Sequence, residues 1–316
     1  MTIRFDDQVV VVTGAAGALG RPYALELARR GASVVANDLG TDATGSGRST
    51  DALDALVAEI RAAGGKAVAS HDSVANEAGG EAIFSTAIEA FGKVDALINN
   101  AGNMRVFGFE DADPAAARSL LDIHVMGAFH VTRPIYRHMK QRGGGRILFT
   151  GSGATFGSAT QTGYGAAKGA IAGLMNGLSV EGAPHGILCN AILPAAATRM
   201  AQVMNPESFV EIGKATSRFG ETNTGANCTA LALYLISREC QSTHAMFSAV
   251  GNRFARVFLG VNDGWLAPRD LVASVDDIAA HFAEIEEPTL SGIPSSMIDE
   301  YWMIDKLIQQ AEGPSD

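Results

Sequence analysis

The chain has 316 residues, of which 47% are hydrophobic and 18% charged, and its formal net charge is −10. This composition predicts a globular protein with a sizeable core, and the acidic balance argues against a nucleic-acid partner or a polybasic membrane surface. The three cysteines lack paired spacing, so we expect free thiols and no metal site. The first residues form no basic, apolar leader, and we therefore expect a cytoplasmic protein.

Short apolar strands alternate with helices from the N-terminus to about Pro194. The predicted strands cover 9–13, 33–37, 66–70, 96–99, 146–150 and 187–193. The predicted helices cover 19–30, 50–63, 76–91, 114–142 and 164–182. Continuously apolar strands joined by helical crossovers are typical of parallel strands buried on both faces. The pattern predicts an α/β fold, a single Rossmann-type doubly wound parallel sheet with helices on both faces.

Beyond Pro194 the pattern loosens into a polar segment of the kind that forms substrate loops. A further helix over 225–237 and a final strand over 246–250 follow. We expect residues 1–267 to form a dinucleotide-binding catalytic domain and residues 268–316 to form a C-terminal helical extension. Its aromatic residues favour packing on the same domain or on a partner subunit, and a solvated acidic tail is the alternative.

A glycine-rich turn links the first strand to the first helix. Gly14, Gly17 and Gly20 let backbone N–H groups approach a pyrophosphate at the helix N-terminus, next to Leu19. A tight connection without a ligand is the alternative. The turn is the first indication of a nucleotide site.

Asp38 ends the second strand, where a carboxylate can accept both hydroxyls of an adenosine ribose and repel a 2′-phosphate. This position favours NAD over NADP, although Arg48 on the following loop keeps NADP open. A helix cap or a turn aspartate is the structural alternative for Asp38.

Polar residues also follow the third and fourth strands. Asp72 can meet the adenine amino group beside Ser73, or it can be the N-cap of the next helix. Asn100, Ala101 and Gly102 close the fourth strand, where a short amide can bind backbone beside the cofactor. The preceding Asn99 is expected to have a structural role.

Tyr164 and Lys168 lie four residues apart on a predicted helix and therefore share a face. Ser152 precedes them at a strand end. A phenol beside an ammonium can act as a general acid and base, because the positive charge favours phenolate and lowers the pKa of the tyrosine. The same spacing arises by chance on exposed helices, so its meaning depends on the motifs around it.

Taken together, these motifs resemble the short-chain dehydrogenase/reductase family, in order and over roughly half of the chain. Several segments, among them Asn37–Gly40, Gly64–Ala69 and Thr198–Met200, resemble the (3R)-hydroxyacyl-CoA dehydrogenase module of peroxisomal multifunctional enzyme type 2. Bacterial relatives of that module include enzymes of sterol side-chain and 17β-hydroxysteroid oxidation.

The resemblance implies NAD-dependent, reversible oxidation of a secondary alcohol to a ketone. A 3-hydroxyacyl-CoA thioester is the preferred substrate, and a 17β-hydroxysteroid or another bulky alicyclic alcohol is the alternative. A non-catalytic NAD-binding regulator is the alternative of another class. The family also implies a homodimer or homotetramer.

The resemblance further assigns roles to individual residues. Tyr164 would transfer the proton, Lys168 would bind the nicotinamide ribose, and Ser152 would orient the substrate oxygen, with Ser158 in reserve. The family's serine commonly lies one residue farther from its tyrosine, so we expect a shortened loop. His124 stands where the family often has an asparagine that holds a proton-relay water. Thr198 fits the position that contacts the nicotinamide carboxamide.

Two sets of side chains are candidates for substrate contact. A CoA thioester needs a basic rim for its phosphates, whereas a lipid-like group needs an apolar lining. The candidates are Arg105, Arg253 and Arg256 for the rim and Met200, Met204, Phe209 and Phe247 for the lining. Ordinary surface arginines and core packing are the alternatives. We expect no nucleic-acid or membrane partner.

Overall fold

The computed structural model describes residues 2–196 and 206–312 of the chain. The strands are β1 (Val9–Thr13), β2 (Ser33–Asn37), β3 (Lys66–Ser70), β4 (Ala96–Asn99), β5 (Gly145–Thr150), β6 (Ile187–Pro194), β7 (Ala245–Val250) and β8 (Arg253–Val257). The helices are α1 (Gly20–Arg29), α2 (Asp51–Ala62), α3 (Glu77–Phe91), α4 (Pro114–Leu121), α5 (Gly127–Arg142), α6 (Thr162–Gly182), α7 (Pro206–Ala215), α8 (Gly225–Leu235), α9 (Val275–Ala280), α10 (Phe282–Ile285) and α11 (Met297–Glu312).

The strands form one sheet in the order β3-β2-β1-β4-β5-β6-β7-β8. Every pairing from β3 across to β7 is parallel. The chain builds outward from β1 to β3 and then returns to place β4 on the other side of β1. This order confirms the predicted Rossmann-type doubly wound sheet. In such a sheet the carboxyl ends of β1 and β4 flank a crevice at the point where the strand order reverses.

Apolar helix faces cover the sheet on both sides. One core includes Leu27 of α1 and Leu56 of α2, and the other includes Ile83 of α3, Ile135 of α5 and Met175 of α6. Full burial of an aliphatic side chain of this size stabilises a fold by about 1.5–3 kcal/mol. The two cores hold the strand ends in place and therefore position the loops that leave them.

The last strand, β8, was not predicted from the sequence. It follows β7 through Gly251 and Asn252, whose φ angles are +59° and +60°. Two successive left-handed residues make the tight turn that suits the twist of a β-hairpin. The residues of β8 are exposed or half-buried, so the strand lacks the continuous apolar run that marks the others.

The predicted helix over 114–142 is interrupted. Its start is as predicted, because the Asp113 carboxylate accepts a hydrogen bond from Ala115 N at 2.9 Å and Pro114 occupies the first turn. At Asp122–Met126 the helix changes to a π-helical segment before α5 begins. The prediction of one continuous α-helix is therefore wrong, because apolar periodicity does not reveal a single widened turn.

The chain divides into two compact units, Met1–Arg256 and Val257–Asp316. In the second unit, the Asn262 amide donates to backbone carbonyls at the end of α10 at 3.0 and 2.8 Å. The Trp265 ring stacks on His281 with 4.1 Å between ring centroids. These contacts give the C-terminal unit internal structure of its own.

The predicted amphipathic C-terminal helix is present as α11. The predicted division of the chain after residue 267 and the packing of the extension on another surface stay predictions. In the described ranges, no helix combines the length and the apolar character that a membrane span requires.

Candidate active site

A cavity of about 760 Å³ opens at the carboxyl ends of the parallel strands. It brings together residues that lie far apart in the sequence. Its lining includes Gly14, Gly17, Leu19, Asp38, Asp72, Ser73, Asn100, Ala101, Gly102, His124, Ser152, Tyr164 and Lys168. The predicted contact Thr198 lies outside the described residues, and so do the side chains of Met200, Met204 and Phe209.

The glycine-rich turn forms one wall of the cavity. Gly14 has a φ of +63°, and a Cβ at this position would lie 3.0 Å from the Ala101 Cα. Gly20 does not line the cavity, and a Cβ there would collide with the Gly14 carbonyl oxygen. Gly14 therefore lets the turn pack closely against the residues after β4, whereas Gly20 lets the start of α1 pack directly behind the turn.

Thr13 ties the glycine-rich turn to the end of β4. Its Oγ1 accepts hydrogen bonds from the backbone N–H groups of Asn100 at 2.9 Å and Ala101 at 3.0 Å. In return, the Asn100 amide donates to the carbonyls of Thr13 and Gly14 at 3.1 and 3.2 Å. This reciprocal bonding fixes the two strand ends on either side of the crevice.

Asp38 faces the glycine-rich turn from the end of β2. One carboxylate oxygen accepts a hydrogen bond from Ala16 N at 2.9 Å, and the other accepts from Gly40 N at 2.8 Å. Asp38 is thus a turn aspartate, as one alternative predicted, and it also lines the cavity. Each carboxylate oxygen has a second lone pair for a ligand.

Asp72 follows β3 and does not cap the next helix. The N-cap of α3 is Asn76, whose side chain accepts from Gly79 N at 2.9 Å. Asp72 accepts instead from the Ser70 hydroxyl at 2.9 Å. The capping alternative for Asp72 is therefore wrong, and its carboxylate is held at the cavity wall.

Ser152, Tyr164 and Lys168 meet at the end of β5. The Ser152 hydroxyl accepts a hydrogen bond from Ala154 N at 3.1 Å, which begins a short 3₁₀ helix over Gly153–Phe156. One turn of α6 places the Lys168 ammonium 5.6 Å from the centre of the Tyr164 ring. Tyr164 and Lys168 are 8% and 5% exposed, so both act in a desolvated environment.

Burial controls the protonation of this pair. It lowers the pKa of Lys168 to about 7, while Nζ donates a hydrogen bond to the Thr150 carbonyl at 2.7 Å. Burial also raises the pKa of Tyr164, and the hydrogen bond with Ser152 opposes this rise. The sequence predicted that the lysine charge lowers the pKa of the tyrosine. The pKa of Tyr164 is raised instead, because desolvation has the larger effect and also reduces the charge on Lys168 at neutral pH.

His124 lies in the π-helical segment with its ring edge toward Tyr164, at 5.4 Å between centroids and an interplanar angle of 80°. Its Nε2 is 2.9 Å from the Asn103 carbonyl oxygen. The pKa of His124 lies well below its usual value, because the ring is buried and Lys168 is nearby. Asn103 N also approaches Nε2, at 3.3 Å, but the shorter contact to the carbonyl favours Nε2 as the donor of a neutral ring, which leaves Nδ1 as an acceptor. Nδ1 is buried without a partner among the described groups.

A second, much smaller cavity of about 10 Å³ lies beside this cluster. Asn99, His124, Thr150 and Lys168 contribute polar residues to its lining. This volume is close to what one water molecule requires. That His124 takes the place of the family's water-holding asparagine stays a prediction. Asn99 itself has the predicted structural role, because its amide donates to the Thr132 hydroxyl at 2.9 Å.

The family model described as short chain dehydrogenase matches residues 8–208 of this chain. The chain belongs to the short-chain dehydrogenase/reductase family. It is therefore an oxidoreductase, as the motifs predict. The family match covers the strands β1 to β6 and the cavity residues that these strands carry.

Relatives agree with this assignment. The chain is 42% identical to a short-chain type dehydrogenase/reductase of Mycobacterium tuberculosis, over 90% of this chain and 96% of the relative. It is 43% identical to the peroxisomal multifunctional enzyme type 2 of Mus musculus, over 78% of this chain but only 32% of the mouse enzyme. The structure also resembles 7α-hydroxysteroid dehydrogenase complexed with NADH and 7-oxo glycochenodeoxycholic acid, with a TM-score of 0.70 and 28% identity over 78% of this chain and 94% of that one.

The cavity lining also contains residues that were not predicted. Gln161 is buried one helical turn before Tyr164 and lines the cavity, so its spacing from Tyr164 is a signal that could have identified it. Asn103 lines it as well, and so do Thr41, Asp42, Ala43 and Gly45 of the loop after β2, but no motif marks them. Ser158, the reserve serine, is also in the lining.

The candidates for substrate contact have mixed outcomes. Arg253 and Arg256 lie on β8, and neither they nor Arg105 is in the cavity lining. Hydrogen bonds from Ser46 and Thr44 lower the pKa of Asp42, and the charge of Arg105 lowers it further. Because Asp42 lines the cavity, Arg105 lies near the cavity as well. Phe247 packs against the core. Among the described residues, no cluster of His, Cys, Asp and Glu could hold a metal ion.

Proposed function

We propose that this enzyme oxidises a secondary alcohol to a ketone, reversibly, with NAD as hydride acceptor. The observation that carries the proposal is the convergence of half-buried Ser152 and buried Tyr164 and Lys168 in the same cavity as Asp38. A serine hydroxyl beside a buried phenol and amine is suited to proton transfer at an alcohol oxygen, and the cavity is large enough for a small-molecule ligand.

The residues present fit a dinucleotide. Gly14, Gly17 and Leu19 line the cavity just before α1, and the N-terminus of a helix is suited to bind a pyrophosphate. Asp38 would accept the adenosine ribose hydroxyls and disfavour a 2′-phosphate, which supports NAD over NADP. Arg48, which kept NADP open, donates to the His71 carbonyl at 3.0 Å and is not in the cavity lining. When bound, the nicotinamide ring supplies the hydride chemistry.

The chain's own residues divide the proton transfer among them. Tyr164 would accept the hydroxyl proton, and Ser152 would donate a hydrogen bond that orients the reacting oxygen. Lys168 would bind the nicotinamide ribose, and with a pKa of about 7 it can pass a proton on near neutral pH. Neutral His124 would accept a hydrogen bond from a water in the small cavity beside Lys168.

For the substrate we propose a 3-hydroxyacyl-CoA thioester. Similarity to the peroxisomal multifunctional enzyme supports it, as does similarity to the peroxisomal hydratase-dehydrogenase-epimerase of Saccharomyces cerevisiae, at 40% identity over 81% of this chain and 27% of that enzyme. A steroid alcohol is the second candidate, because the related 7α-hydroxysteroid dehydrogenase was solved with a bile acid derivative.

Parallel rate measurements distinguish these candidates. We expect NADH formation to be fastest with (3R)-hydroxyacyl-CoA and much slower with its 3S isomer and with a 17β-hydroxysteroid. A higher kcat/KM for the steroid would reject the thioester proposal and favour the second candidate. NADH binding without turnover on any alcohol would favour the regulator class instead.

We also propose that the protein is a homo-oligomer, a dimer or a tetramer. Four glycines recur at every fourth position of α6, at Gly165, Gly169, Gly173 and Gly177. A Cβ at the last three would meet no atom within 4 Å. Small residues at this spacing let a helix of a second subunit approach closely. The cytoplasmic location stays a prediction.

A further inference from the structure

Asn103 connects the loop at the cavity to the segment that carries His124. Its side chain is only 1% exposed. The amide nitrogen donates to the Thr44 carbonyl at 3.2 Å and to the Ser119 hydroxyl of α4 at 3.1 Å. Its backbone carbonyl oxygen is 2.9 Å from His124 Nε2. One buried residue thus contacts the β2–α2 loop, α4 and the π-helical segment at the same time.

The β2–α2 loop is ordered by hydrogen bonds of its own. The Asp42 carboxylate accepts from the backbone N–H groups of Thr44 at 2.8 Å and Ser46 at 3.0 Å. Met104 N, next to Asn103, donates to the Ala43 carbonyl at 2.9 Å. Because Asp42 and Ala43 also line the large cavity, a ligand there touches the same loop that Asn103 holds.

We propose that Asn103 is a positioning residue that couples the seating of the β2–α2 loop over the cofactor to the orientation of the His124 ring. The inference rests on the proposed function, because NAD is the ligand that the loop would enclose. If the loop moved away, the Asn103 amide would lose its acceptor at Thr44 while remaining buried, which is unfavourable. A movement of the loop is therefore expected to move Asn103 as well. Because the Asn103 carbonyl contacts His124 Nε2, this movement also changes the position of the His124 ring.

Gly102 also approaches the His124 ring closely. A Cβ at Gly102 would overlap the His124 Cε1 atom, which is bonded to Nε2. Gly102 and the Asn103 carbonyl therefore both contact the ring at its Nε2–Cε1 edge. A displacement of Asn103 therefore changes the direction in which Nδ1 points.

Two glycines of the loop provide a matched pair of variants. Gly45 and Gly47 have φ angles of +86° and +80°, so an alanine strains the backbone similarly at both. A Cβ at Gly45 would lie 3.0 Å from Asn103 Nδ2 and 3.3 Å from Ile123 Cδ1, whereas a Cβ at Gly47 meets nothing within 4 Å. Gly45→Ala therefore disturbs the contact with Asn103, and Gly47→Ala is its control.

The test measures both ends of the proposed connection. Fluorescence titration with NADH measures the Kd at the cavity that the β2–α2 loop lines. ¹⁵N NMR of protein labelled at histidine measures the chemical shifts of the His124 ring nitrogens. The His124 signals are identified because they are absent from the spectrum of His124→Gln. We expect Gly45→Ala to raise the Kd for NADH about tenfold and to shift the His124 signals, while Gly47→Ala changes neither. A raised Kd with unchanged His124 signals, or no change in either, would overturn the coupling.

Asn103→Leu tests the connection from its centre. We expect the same two changes as in Gly45→Ala, and no further loss when the substitutions are combined, because both break one linkage. Additive losses would overturn the proposal. If Asn103→Leu does not fold, the matched glycine pair decides alone. Neither readout needs turnover, so failure of the proposed oxidation would appear separately in activity assays.

Discussion

At the scale of single residues, the burial of Lys168 favours catalysis but lowers the free energy of unfolding. Burial lowers its pKa from 10.5 to about 7, and its ammonium hydrogen bonds to the Thr150 carbonyl at 2.7 Å. An amine that titrates near the working pH can gain and release a proton during turnover. The unfolded chain, in contrast, holds that proton up to much higher pH. Folding at neutral pH is therefore less favourable because of this residue.

Lys168→Met is expected to stabilise the cofactor-free protein while abolishing alcohol oxidation. Between about pH 7 and pH 10.5 the unfolded chain binds more protons at this position than the folded one, so the lysine's unfavourable contribution shrinks as pH rises. The gain in Tm should thus be largest at or below pH 7 and should fade toward pH 10.5. Thermal melts across this range measure it, with exposed Lys140→Met as the control. A lower Tm for Lys168→Met at pH 7 would contradict the account.

Residue positions set by local motifs were predictable, and contacts set by the tertiary structure were not. The spacing of Tyr164 and Lys168 on one helix fixes their shared face, and strand ends brought Asp38 and Ser152 to the same cavity. Asn103 carries no such signal, because its partners come from three separate elements. The direction of the Tyr164 pKa also depends on burial, which one-dimensional spacing does not reveal.

At the scale of elements, the π-helical segment Asp122–Met126 is the feature that positions His124. A π turn inserts a residue into the helical register and redirects the side chains beside it, and such turns frequently occur at functional sites. Gly102 is its counterpart on the loop after β4, since only a residue without a side chain leaves room for the His124 ring. The segment escaped prediction because the apolar pattern continues through it.

Gly102→Ala is expected to lower kcat on the order of a hundredfold, because a shift of about 1 Å in a catalytic group has an effect of this size. The added Cβ would overlap the His124 ring. Gly153→Ala is the matched control, because Gly153 lines the same cavity and a Cβ there meets no described residue within 4 Å. Steady-state rates measure the effect, and NADH titration verifies that both variants are folded. Equal rates for the two variants would rule out this role for Gly102.

At the scale of the whole molecule, the doubly wound parallel sheet was predictable because alternating strands and helices permit few topologies. Edge features were harder to predict: β8 is largely exposed and depends on the turn at Gly251 and Asn252. The outer face of α6 is the surface that we propose for subunit pairing. Its four regularly spaced glycines are accompanied by Val180, which is 47% exposed, and by Phe129 on α5, which is 48% exposed.

Gly173→Trp is expected to disrupt the oligomer. A Cβ at this position meets no atom of the described residues within 4 Å, so the single subunit leaves open space there, whereas a closely packed partner helix would leave no room for a tryptophan. Ala55→Trp, at an exposed position of α2, is the control for adding a surface tryptophan. Size-exclusion chromatography with light scattering measures the mass. An unchanged mass for Gly173→Trp would show that subunits do not pair along this face.

Tyr164→Phe tests the central claim most directly, because it removes the phenolic oxygen and keeps the buried ring. General acid/base groups contribute about 10²–10⁴ to the rate. We predict a loss of this size in NAD-dependent oxidation, followed by NADH absorbance with the best alcohol, while NADH still binds in fluorescence titration. A variant that binds NADH and retains most of the alcohol oxidation would contradict the assignment of Tyr164 as the catalytic acid/base.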